Sequence, residues 1–224
     1  MKRHLSTFVL SALAVAAVGG LTVLRTGLVA EAAWRHDYTP LTVNTYPVSG
    51  NFTDISVTDY YADVQFRVSR DGSVSVVTRD AADVTHTVRV EGNTLTVTRP
   101  EPSVGQRLFH HDDDDPEVTI YLPAGNYGAL TVSNTSGDIE SAAQLGFASA
   151  NLTTVSGDID LNGPVSGKIV CNTTSGEVEG SLLSGKNFAV SSSIGRVSAP
   201  TADPAGAPCT VTTTSGDIRL TVRP

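Results

Sequence analysis

A glycine recurs at a nearly constant step through the second half of this chain, at Gly137, Gly157, Gly176, Gly195 and Gly216, with intervals of 20, 19, 19 and 21 residues. Four near-equal steps make a structural repeat, not a chance cluster of turns. The columns around the glycine share one chemistry. Two residues after it stand Ile139, Ile159, Val178, Val197 and Ile218; five before it, Val132, Leu152, Cys171, Val190 and Val211; seven before it, Leu130, Ala150, Ile169, Phe188 and Cys209. Positions minus seven and minus five share one face of a strand, because strand side chains alternate with period 2. A corner at the glycine resets the phase, so that plus two points inward again. One such unit cannot bury its own apolar face, but it can stack on copies of itself. The spacing therefore predicts an all-β chain built around a parallel β-solenoid (β-helix) of about five rungs. The glycine marks the corner, where a positive φ or the close approach of the next rung excludes a Cβ.

Upstream, "DISVTDYYADVQFRVSRDGSVSVVTRD" and "VTHTVRVEGNTLTVTRP" alternate apolar and polar residues, with Asp71-Gly72 and Gly92-Asn93 as turn signals. These segments read as further strands, including antiparallel hairpins, that cap the N-terminal end of the solenoid. The expected organisation is a membrane anchor or signal over 1–30, a linker over 31–50, a capping β-region over 51–122 and the repeats over 123–224.

The first residues bear on location. Lys2, Arg3 and His4 precede an uncharged run from Leu5 to Leu24, 20 residues and about one bilayer crossing. The expectation is an N-terminal transmembrane helix that leaves the body outside the cytoplasm. The alternative is a signal cleaved near Ala30-Glu31-Ala32, with secretion of the body. The chain's formal charge is −8, and setting aside the three cations Lys2, Arg3 and Arg25 leaves −11 for residues 31–224. Such a body repels phosphate backbones, which argues against nucleic acid as a partner.

Chemistry-bearing clusters are few. "HHDDDDPE", from His110 to Glu117, holds two histidines and several carboxylates, but neighbours along an extended segment point apart, and the stretch reads as a solvated loop. His36 and His86 read as surface residues. Asn51, Asn134, Asn151 and Asn172 fit the N-x-Ser/Thr pattern without further meaning. The column after the glycine carries Asp138, Asp158, Glu177, Arg196 and Asp217. At a strand spacing of about 4.8 Å its acids form a ladder, and the four carboxylates are the candidate binding surface. A pair at that spacing resembles the carboxylates of a retaining glycosidase, but few aromatics exist to line a sugar cleft, and splayed, solvated side chains are the expectation. No nucleophile elbow, phosphate loop or zinc spacing appears. No catalytic residue, metal or cofactor is expected.

The residues resemble the bacterial putative-adhesin family of β-strand repeat proteins, domain of unknown function 4097. The resemblance rests on "FTDISVTDYYADVQF", "VTIYLPAGNYGALTVSNTSGDIE", the recurrent "SGDI" or "SGEV", and "GSLLSGKNFAVSSSIGRVSAPTADPAGAPCTVTTTSGDIRL". It implies an exported, often membrane-anchored envelope protein with an adhesin-like label and no established catalytic residues. Ile194-Gly195-Arg196 departs from the motif. The leading expectation is a non-enzymatic envelope protein that binds an envelope component or a partner protein. An accessory or sensory subunit that docks a partner comes second, and a carbohydrate-active β-helix enzyme third.

Stacking the repeats in sequence order carries three consequences. Cys171 and Cys209 fall two rungs apart and stay unpaired. Ile218–Val222 forms an open edge guarded by Arg219, Arg223 and Pro224, or else accepts a partner strand there. Arg196 sits between Glu177 and Asp217, neutralises both, and leaves the folded body with no need of calcium.

Overall fold

A computed structural model of the chain describes residues 24–26, 41–81, 85–100 and 116–223. Among these residues all regular structure is strand and none is helix. The apolar run at the N-terminus, apart from Leu24, lies outside the described residues, as do His36 and residues 101–115, which hold most of the acidic "HHDDDDPE" stretch.

Two sheets lie face to face around one core. The first runs, in spatial order, β1 (Leu24–Thr26), β2 (Leu41–Pro47), β5 (Ser75–Ala81), β8 (Glu117–Leu122), β4 (Asp63–Val68), β10 (Ile139–Ser141), β12 (Ile159–Leu161), β14 (Val178–Leu182), β18 (Ile218–Val222) and β16 (Val197–Ser198). The second runs β15 (Lys186–Ile194), β17 (Ala207–Ser215), β13 (Ile169–Asn172), β11 (Leu145–Thr153), β9 (Gly125–Ser133), β3 (Asp54–Thr58), β7 (Thr94–Thr98) and β6 (Thr87–Glu91). From β8 to β16, and from β15 to β7, every pairing is parallel. β1, β2, β5 and β6 add antiparallel strands at the other end. Leu41–Pro47, within the stretch read as linker, is thus strand β2.

The register confirms the apolar columns. Leu130 pairs with Ala150 and Ala150 with Ile169; Val132 pairs with Leu152 and Leu152 with Cys171; Ile139, Ile159 and Val178 pair in turn. All of these side chains are buried. The columns run on past residue 122 into β3 and β4, where Ile55, Val57 and Val64 occupy them. Of the two turn signals, Gly92-Asn93 joins β6 to β7 in a hairpin. Asp71-Gly72 does not make one, because β8 inserts between β4 and β5.

The stacking order departs from sequence order. β17 pairs with β13 on one side and β15 on the other, while β18 lies between β14 and β16. Corner bridges run Ser136 to Ser156, Ser156 to Ser175, and Ser175 directly to Ser215. The last repeat therefore slots between the third and the fourth, and the fourth forms the end of the stack. The Ile218–Val222 edge expected above is not open along its length: Ile218 and Arg219 are paired on both sides, and among the described residues only Leu220–Val222 keep a free side. Nor are Arg219 and Arg223 edge guards. Arg223 Nε donates to the Ser181 carbonyl at 2.9 Å and Nη1 to that of Ala143 at 3.2 Å, gripping the inner neighbours.

The same threading moves the cysteines. Cys209 pairs with Ile169 and Cys171 with Val211, so they occupy adjacent strands offset by two residues. One strand spacing and two residues of rise put their Cα atoms about 8 Å apart, still beyond the ~7 Å reach of a bridge. Both are buried free thiols, as expected, but one rung apart and not two. Burial pushes the Cys209 thiol up to about 11 and holds that of Cys171 far above its ordinary value.

Candidate functional site

The glycine corners bring the candidate carboxylates into one line along the stack. A Cβ on Gly157 would stand 2.2 Å from the Gly137 carbonyl oxygen, and one on Gly176 or Gly216 2.0 Å from the carbonyl of the preceding corner. No side chain tolerates that approach, so glycine is required by contact, the more so as Gly176 does not adopt the left-handed φ seen at Gly137. A second device repeats three residues before each glycine. There Thr154, Thr173, Thr213 and Ser192 donate their hydroxyls to the carbonyls of Gly137, Gly157, Gly176 and Gly216 at 3.3, 3.0, 3.1 and 2.8 Å. Asn134 fills this position in the first corner and donates to the Ala62 carbonyl, so its amide is structural.

The carboxylates are not splayed. Asp63 Oδ1 accepts the Asp138 amide at 2.8 Å, Asp138 Oδ1 the Asp158 amide at 2.7 Å, and Asp158 Oδ1 the Glu177 amide at 2.7 Å. Each acid along this run thus satisfies an N–H of the next corner, which offsets repulsion between like charges. The longer Glu177 turns instead to Arg219, whose guanidinium also bonds Glu179 at 2.8 Å and Asp217 at 2.9 Å. The neutralising cation is therefore Arg219. Arg196, in the terminal corner, meets Asp217 chiefly through its amide, which donates to Oδ1 at 2.8 Å. That hydrogen bond, reinforced by Arg219, holds the Asp217 carboxyl below its usual value. These acids point along the stack into hydrogen bonds, an arrangement unlike two carboxyls facing across a substrate cleft.

A polar cluster that the sequence pattern did not reveal lies under the antiparallel end. His86, read as a surface residue, is buried. Its Nε2 is 2.6 Å from Asp59 Oδ2 and its Nδ1 2.8 Å from Asp80 Oδ2, with all three side chains fully shielded from solvent. Arg99 Nη1 stands 3.6 and 3.5 Å from Asp59 Oδ1 and Asp80 Oδ1, and its guanidinium lies 5.4 Å from the Tyr61 ring centre. Asp59 Oδ1 also accepts the amides of Tyr60, Tyr61 and Ala62. Burial opposes charge on both partners, but the contacts between them win. They lower the Asp59 carboxyl to about 2, through His86 and then Arg99, and raise His86 to about 9, through Asp59 and Asp80. His86 and Arg99 thus face Asp59 and Asp80 in one buried cluster. With no solvent access the cluster ties strand ends of β3, β5, β6 and β7 together instead of meeting a substrate. The only sequence signal was Asp59 in the column of Asn134 and Thr154; nothing marked His86.

Parallel strands stacked through glycine corners and closed at one end by antiparallel strands define a β-strand repeat protein. The chain belongs to the Toastrack DUF4097 family, whose model matches residues 52–223. No curated protein matches it. Among solved structures, one from Clostridium sporogenes described as a putative cell adhesion protein is 12% identical, with 82% of this chain and 100% of that chain covered and a TM-score of 0.60. Another, from Bacteroides fragilis and described as a putative adhesin, is 14% identical over 82% of this chain and 98% of its own, with a TM-score of 0.41. At these identities the Clostridium structure speaks to the fold alone.

Proposed function

We propose that this chain is a non-enzymatic, membrane-anchored protein of the bacterial envelope, with its body outside the cytoplasm, that binds an envelope component or partner protein through the corner side of the stack. Family membership and the adhesion label of the Clostridium sporogenes structure support the adhesin-like part of this reading. The uncharged run of residues 5–24 and the −11 body support the location.

The observation that carries the binding surface is a line of exposed groups on a backbone hydrogen-bonded from corner to corner. Thr135, Val155, Thr174 and Thr214 are exposed, as are Asp138 and Asp158, each fixed by the corner hydrogen bonds beneath it. A rigid row of hydroxyls and half-used carboxylates loses little conformational entropy on binding.

The test is capture of envelope components by the full-length chain in detergent, compared with a Thr174→Lys/Thr214→Lys variant. The expected result is a specific partner that the variant fails to retain. If the variant captures the same components as the wild type, or the wild type captures none, the corner side is not a binding surface.

A further inference from the structure

The terminal repeat, β15 and β16, leaves three core columns unfinished at once. At minus seven, minus five and plus two, the inner repeats bury Leu130, Val132 and Ile139, and likewise Cys209, Val211 and Ile218, to 1% exposure or less. In the terminal repeat Phe188 and Val190 are only partly buried, and Val197 is 46% exposed. Beside them Ile194 is 70% exposed where Ser136, Ser156, Ser175 and Ser215 stand in the other corners. Among the described residues β15 pairs only with β17 and β16 only with β18, so both sheets end here on bare edges. A nine-residue edge without proline or a protruding charge invites another strand.

We propose that a second copy of this chain covers this end, joined edge to edge by antiparallel pairing of β15 with its own counterpart about a two-fold axis at Val190. Charge selects the end. No Asp or Glu occurs from residue 180 to 202, although the body carries −11, and the next carboxylate, Asp203, sits at the Lys186 end of β15, away from the axis at Val190. Within β15 the only charge is Lys186, which is buried and donates to the carbonyls of Ser166 and Gly167 at 3.0 and 2.7 Å.

The strand is also self-compatible. A two-fold axis at Val190 sets Val190 against itself, Phe188 against Ser192 and Ala189 against Ser191, which keeps inward residues facing inward residues on both copies. A head-to-tail filament is disfavoured, because the opposite end of the second sheet is β6, antiparallel and carrying the exposed Arg89–Glu91 ion pair. An isologous contact closes on itself as a dimer.

The pairing register makes the test specific. Directly opposed residues bring their Cα atoms to about 4.5–5.5 Å, within the range of a disulfide, and diagonal ones, at about 7–8 Å, lie beyond it. The native cysteines are buried and give no background. Full-length Val190→Cys, in membranes of cells that produce it, is expected to give a dimer band after mild oxidation. Ala189→Cys and Ser191→Cys, both at exposed positions, are expected to cross-link when co-produced with distinguishable tags, and neither alone. A Thr174→Lys/Thr214→Lys background should leave these bands intact, which separates this interface from the corner surface. Absence of all these bands, cross-linking to a protein of another size, or equal cross-linking by Ala189→Cys alone would overturn the dimer.

Discussion

His86→Ala is expected to lower the melting temperature of this protein by roughly 6–20 °C. Removing one partner of a buried charge network leaves the others uncompensated, at a cost of about 3–5 kcal/mol, and in a chain of this size each kcal/mol moves the midpoint by about 2–4 °C. Asp59 and Asp80 would face each other with Arg99, 3.5 Å or more away, as a remaining cation beside them among the described residues. The pH dependence gives the network a signature. Asp59, lowered to about 2, stabilises the fold above its ordinary value of 3.8 and loses that effect as pH falls toward 2. His86, raised to about 9, stabilises fully below 6.5 and loses its effect as pH rises through 9. The difference between wild type and His86→Ala should therefore be greatest between about pH 4 and 6.5, shrink as pH rises from 6.5, and level off above about 9. Thermal unfolding across pH measures it. A constant difference from pH 5 to 10 would show that His86 is not charged in the folded chain.

Gly176→Ala should be at least as damaging. The added Cβ would meet the Gly157 carbonyl at 2.0 Å, and that carbonyl is held by Thr173. Neither backbone can retreat without opening the stack, so a loss beyond the ~1–3 kcal/mol of ordinary overpacking is expected. Gly72→Ala is the comparison. It has a φ of +75° but open space around its Cβ, and should lose only the ~1–2 kcal/mol of left-handed backbone strain. Denaturant unfolding of the two variants separates contact from conformation. Equal losses would mean that the close approach of the Gly157 carbonyl is not what requires glycine at this corner.

These two sites mark what was and was not legible in the sequence. The columns were legible because a two-residue strand period and a near-constant repeat length act on every unit in the same way, so Leu152 and Val178 could be placed inside without a structure. The family resemblance rested on those same columns. Periodicity cannot report the order in which equivalent units stack, since β17 fits the columns equally well beside β13 or beyond β15. The choice rests on contacts remote in sequence. Arg219 reaches Glu177 and Glu179, Arg223 reaches the Ser181 carbonyl, and Lys186 reaches across the inserted strand to Ser166 and Gly167. His86 was illegible for a similar reason: its partners come from three other strand ends, 27 residues away in the case of Asp59.

The threading of the last repeat between the third and fourth can be tested at single amides. Gly176 and Val178 donate to the carbonyls of Ser215 and Asp217, and Gly216 and Ile218 donate onward to those of Ile194 and Arg196, at 2.8 to 2.9 Å. Amide hydrogen exchange resolved by residue should find Gly216 and Ile218 as slow as Gly157 and Ile159, which make the same bonds in the middle of the stack. Gly195 and Val197, in the terminal corner, should exchange sooner. Stacking in sequence order requires the reverse, with Gly195 and Val197 protected and Gly216 and Ile218 exchanging near the rate of an open chain, and that result would contradict the inserted repeat.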